Sequence, residues 1–159
     1  SHERTNIADV NRSKRELERL KRIAKTEGMW DPTEGGADAV RFRDQIALLE
    51  VDIVALEMLV LRVLSAEKSG KNSLDIAGLL KIKGSEIQQR YAELMMLAAG
   101  PFAMPFIEEA MEAGWQGNFP GGVVANAPLA STYFNLRKTT IYGGSNEVQR
   151  NIVAQTVLG

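Results

Sequence analysis

The residues best placed to do chemistry stand together near the C-terminal end. They form the run Ile141-Tyr142-Gly143-Gly144-Ser145-Asn146-Glu147-Val148-Gln149-Arg150-Asn151-Ile152-Val153-Ala154. An apolar–aromatic pair leads into two glycines, then a Ser-Asn cap, then a helix with Val148, Ile152 and Val153 on one side. Gly143 and Gly144 allow positive φ or a close approach of the backbone to another molecule. Ser145 or Asn146 can cap the first turn, where open N–H groups suit an anion or a carbonyl oxygen. Residue types alone favour a plain glycine turn before a terminal helix.

Composition removes the commonest alternatives. The chain of 159 residues has no Cys and one His, His2, at its extreme end. A disulfide scaffold, a thiolate nucleophile and a Cys-based metal site are therefore excluded, and a His-based triad or zinc cluster is disfavoured. Net charge is −1, so no general field draws the chain to nucleic acid or a membrane surface. With 45% hydrophobic and only 6% aromatic residues, the length suits one helical domain with a respectable core. No secretory signal pattern is present. The chain opens on Ser1-His2 without Met, straight into a helical pattern, as expected of a domain cut from a longer protein.

Four main helices must position the C-terminal run. The first is expected near 3–27, with Ile7, Val10, Leu17, Leu20 and Ala24 on its apolar side and Gly28 at its end. The second, near 38–68, alternates steps of three and four through Ile46, Leu49, Ile53, Leu56, Val60 and Val63. Leu48, Ala55 and Leu59 make a second side apolar, so this helix is expected at the centre and most buried. Glu50, Asp52, Glu57 and Arg62 rule it out as a membrane span. The third, near 73–99, runs through Ile76, Leu79, Leu80, Ile87, Tyr91, Leu94 and Met95 until Pro101 stops it. Short helices are expected near 105–113 and 129–137, and the last main helix near 145–157. The glycine-rich loop 114–122 between them reads as functional or as a docking surface. There is no strand-like alternation, so the fold class is all-α, an antiparallel four-helix bundle.

The run from Tyr142 to Ala154 resembles the C-terminal signature of acyl-CoA dehydrogenases, whose C-terminal domain is an all-helical bundle of this length and helix order. The resemblance implies that residues 1–159 are one part of a FAD-dependent enzyme. Such an enzyme introduces a double bond between Cα and Cβ of an acyl-CoA thioester and passes electrons to an electron-transfer flavoprotein. It further implies a homo- or hetero-tetramer assembled through this domain, a cytoplasmic bacterial setting, and an isolated fragment that is inactive.

Site residues follow from the same resemblance. Many family members carry a Glu immediately after the signature Tyr, where this chain has Gly143, which cannot take a proton. In other members the base comes from a Glu-Arg pair at the start of the domain, matched here by Glu3-Arg4 with Ile7-Ala8 following. Glu3 is thus the expected base and Arg4 a substrate contact; a structural first-turn Glu is the alternative, since the helix dipole favours one. The N–H of Gly143 is expected to hold the thioester carbonyl, an oxyanion-hole role that survives loss of a side chain. Tyr142 is expected to line the acyl pocket, or else to be a half-buried packing aromatic. Gly144, Ser145 and Glu147 match positions at the adenosine end of FAD, and Arg150 suits a surface ion pair of the terminal helix. Two departures stand against this. The segment Thr26-Glu27-Gly28-Met29-Trp30-Asp31-Pro32 lacks the Arg and Thr/Ser-Phe-Gly turn of many relatives. The segment 95–101 keeps a small Ala-Ala-Gly run but loses a glutamine found near the FAD pyrophosphate. These changes resemble a divergent bacterial branch with hetero-oligomers and shared FAD sites. The second reading is accordingly a non-catalytic assembly subunit of such a complex.

Overall fold

The structure, a computed structural model, describes residues 9–68, 74–112, 114–115, 117 and 126–158. Glu3 and Arg4, and most of the glycine-rich loop, lie outside the described residues.

Helix α1 spans Val10–Thr26. It starts at Val10 rather than near residue 3 because Asp9 is extended and caps it, its carboxylate accepting from the Arg12 N–H at 2.9 Å. The helix ends as expected at Gly28, whose φ of 70° lets the Met29 N–H reach back to the Ala24 carbonyl at 2.8 Å. Its buried side is Leu17, Leu20, Ile23 and Ala24.

Helix α2 spans Pro32–Lys68, broken at Gly36 (φ 58°, ψ −139°). Asp31 starts it, accepting from the Thr33 N–H at 2.8 Å, with Pro32 at the first helical position. The three-four spacing is realised in packing: Phe42, Ile46, Leu49, Ile53 and Leu56 are all buried against α1 and α3. Each such side chain contributes on the order of 1.5–3 kcal/mol by leaving water. The expectation that α2 is the most buried helix is wrong. Its second apolar side faces outward, with Leu48 67%, Val51 65%, Val54 49%, Met58 51% and Leu61 53% exposed. Apolar composition on two sides says that a helix needs two neighbours; the described residues cover only one side.

The central element is instead α3, Leu74–Ala99, which packs against α1, α2, and the two helices that follow it, α4 (Leu129–Leu136) and α5 (Asn146–Leu158). Its buried residues include Leu80, Ile87, Tyr91, Leu94 and Met95, although Leu79 remains 36% exposed. The Tyr91 hydroxyl is buried, and burial pushes its pKa to about 12, so it stays protonated at neutral pH. Gly100, with φ of 68°, and Pro101 close α3 in a 3-10 turn, Gly100–Ala103. The short helix expected near 105–113 is a 3-10 helix, Glu108–Met111, bounded by Ile107 and Glu112, which are both extended. Among the described residues there is no strand, and no helix is long and apolar enough to cross a membrane. The fold is the all-α antiparallel bundle expected.

Candidate functional site

The glycine turn is clamped at both ends. Upstream, α4 runs into a 3-10 turn, Arg137–Thr140. The Gln89 side-chain amide of α3 donates to the carbonyls of Leu136 and Arg137 at 3.3 and 3.2 Å. Arg137 answers by donating to the Gln89 carbonyl at 3.1 Å, its guanidinium lying 4.3 Å from the Tyr133 ring centroid. The Ile141 and Tyr142 N–H groups then both donate to the Lys138 carbonyl, at 2.9 and 3.2 Å. This fixes the approach to Gly143.

Gly143 and Gly144 both take positive φ, 69° and 89°, as their residue type allows. At Gly144 a Cβ would lie 2.5 Å from Nε2 of the buried Gln149, so that amide would have to shift to admit one. No acceptor among the described residues takes the Gly143 N–H. Around the turn Ile141, Tyr142, Val148 and Ile152 are 68%, 39%, 49% and 37% exposed, an apolar collar open to another surface.

Downstream, Ser145 caps α5, its hydroxyl accepting from the Val148 N–H at 3.4 Å. Asn146 is the second clamp, and it is buried. Its Oδ1 accepts from the Lys81 ammonium at 2.7 Å, while its side-chain amide and the Ser85 hydroxyl bond each other at 3.1 and 3.2 Å. Burial pushes the Lys81 pKa below its ordinary value, with attraction to Glu147 opposing it. The Glu147 carboxyl is held below the usual carboxylate range by its own backbone N–H first and the Ser145 hydroxyl second, with Arg150 and Lys81 adding attraction. Arg150 reaches Glu86 at 2.9 Å, the surface ion pair expected of it.

The sequence reading found Tyr142, Gly143, Gly144, Ser145 and Glu147, and the structure places them on one turn. The sequence reading did not point to Lys81, Ser85 and Gln89, the polar residues of α3 that hold that turn. A signal existed for one pair: Lys81 sits between Leu80 and Ile82 in an apolar stretch, with Ser85 one helical turn on. Asn146→Leu should therefore leave the Lys81 ammonium buried with no hydrogen bond, costing about 1.5–3 kcal/mol. Chemical denaturation checks it: Lys81→Met added to Asn146→Leu should recover most of the loss, because the stranded charge is then gone.

The chain matches the family model for the acyl-CoA dehydrogenase C-terminal domain over residues 1–158. It belongs to this family. No curated protein gives a significant match. The general reaction of acyl-CoA dehydrogenases is FAD-dependent, so the turn can be tested for fit to that group. The Ser145 hydroxyl and the Glu147 carboxylate already engage N–H groups at the start of α5, which makes it a poor seat for a phosphate. A carboxylate and a hydroxyl beside two glycines do fit a ribose or an amine, the adenosine end of the dinucleotide.

Proposed function

We propose that this acyl-CoA dehydrogenase domain is part of a longer chain that introduces a Cα–Cβ double bond into an acyl-CoA thioester. The observation that supports this best is the Gly143 N–H, held at a doubly clamped turn and given no acceptor among the described residues. Such a donor is suited to a thioester carbonyl oxygen on which negative charge grows as the α proton leaves. Tyr142 lines the acyl chain next to it. Glu3 removes the α proton, and Arg4 contacts the substrate beside it. Gly144, Ser145 and Glu147 hold the adenosine end of FAD. When bound, FAD supplies the acceptor for the hydride from Cβ.

Electrons then leave to an electron-transfer flavoprotein, and the chain works as a homo- or hetero-tetramer assembled through this domain, in a bacterial cytoplasm. The domain alone lacks the remaining flavin contacts and is inactive. The test is turnover of a saturated acyl-CoA by the full-length protein with an electron-transfer flavoprotein as acceptor. An enoyl-CoA product is expected; a protein that holds flavin yet forms none from any acyl-CoA would overturn the proposal.

A further inference from the structure

A fully buried lysine holds the helix that begins just after the glycine turn. Lysine is almost never buried without an ionic partner. Yet among the described residues no carboxylate lies within ion-pair distance of the Lys81 ammonium, and Glu147 attracts it only from farther away. The ammonium donates instead to a neutral amide, Asn146 Oδ1, at 2.7 Å. Gly78, Lys81 and Ser85 share one face of α3, three and four residues apart. Helix α5 lies close against that face, since a Cβ on Gly78 would come 2.9 Å from Cγ2 of Val153. Small residues one turn before and one turn after Lys81 thus let α5 approach, and the cation meets its first residue.

For stability alone this is a poor arrangement. An apolar side chain of similar size in place of a buried charge is often neutral or stabilising. What the cation does is fix Asn146, three residues past Gly143. The Asn146 amide donates to Ser85 at 3.1 Å, so both ends of that side chain are tied to α3. Two glycines in a row have wide backbone freedom, so the direction of the N–H groups between them is set by what is held on either side. Upstream the hold is Gln89 with the Lys138 carbonyl; downstream it is Asn146. We propose that Lys81 is a positioning residue for the reaction at this turn, setting through Asn146 the direction in which the Gly143 N–H points. This rests on the dehydrogenase reading and adds to it a residue that never touches the substrate.

In the full-length, FAD-loaded protein, Lys81→Met removes the charge and leaves Asn146 bonded to Ser85. Its denaturation midpoint should not fall. Reduction of the flavin by acyl-CoA should nevertheless slow roughly ten- to a hundredfold, as misplacement of a reacting group does, with acyl-CoA affinity little changed. Lys81→Gln, which keeps a shorter, neutral donor, should lose less. The deciding comparison is a double-mutant cycle with an ester in place of the Gly143 amide. In the ester protein either substitution should cost about twofold or less, because the donor that Lys81 aims is already gone. The carbonyl stretch of a bound, isotope-labelled thioester gives a readout free of turnover. It should lie at higher frequency in Lys81→Met than in the wild type, since a well-aimed donor weakens the C=O bond. Equal fold losses with amide and ester, or an unchanged rate and stretch in Lys81→Met, would overturn the proposal. A wild-type protein that forms no enoyl-CoA would overturn the dehydrogenase reading instead, and the stretch would still decide the role of Lys81.

Discussion

In the full-length protein, Glu3→Gln should slow reduction of the flavin by acyl-CoA by roughly two to four decades, the usual worth of a positioned general base. The α proton of a thioester is weakly acidic, so its removal needs a carboxylate at the α carbon together with a donor at the carbonyl. Gln keeps the size and hydrogen bonding of Glu but cannot accept the proton. Flavin content and acyl-CoA affinity should change little, which separates a lost base from a lost fold. Tyr142 is followed by Gly143, so the glycine turn offers no carboxylate at that point. Glu147 is a weaker base, because its own backbone N–H and then Ser145 hold its carboxyl below the usual carboxylate range. A wild-type rate in Glu3→Gln would remove Glu3 from the mechanism and move the base to another domain or a partner chain.

Replacing the Gly143 amide by an ester should cost roughly a hundred- to a thousandfold in the same step, as loss of an oxyanion-hole donor does. A side-chain substitution is the wrong probe here. With φ at 69°, Ala would strain the turn as well as alter the site, whereas the ester removes the N–H without adding a side chain and only weakens the Tyr142 carbonyl as an acceptor. The N–H makes no hydrogen bond to any described residue, so its removal should leave stability nearly unchanged. The same exchange at Gly144 serves as a control and should change the rate far less. Equal losses at both positions would mean that the turn's shape, rather than the Gly143 donor, matters.

Much of this arrangement was legible in the sequence because it rests on local rules. Gly28, Gly100 with Pro101, and the Gly143-Gly144 pair end elements through backbone conformation that glycine alone adopts freely, and each does so in the structure. The seam through Ile46, Leu49, Ile53 and Leu56 is a periodicity, and it packs as a periodicity should. Two kinds of feature were not legible. Val51, Val54 and Met58 are as apolar as their buried neighbours, and a sequence pattern does not say whether a second apolar side meets its own chain or another. The Lys81–Asn146–Ser85 cluster joins residues more than sixty positions apart, at 2.7 Å for Lys81 and 3.2 Å for Ser85. No local rule reaches that far. The start of α1 was missed for a smaller reason: Asp9 outcompetes continuation of the helical pattern by capping Val10–Thr26.

The central claim is that the Tyr142–Gly143 turn serves dehydrogenation of an acyl-CoA. Its most direct test is anaerobic rapid mixing of the full-length, FAD-loaded protein with saturated acyl-CoA thioesters of several chain lengths. Bleaching of the oxidised flavin by at least one of them is expected, in a single turnover, with an enoyl-CoA lighter by two hydrogens as the product. A flavin that stays oxidised with every thioester, in a protein that binds them, would contradict it.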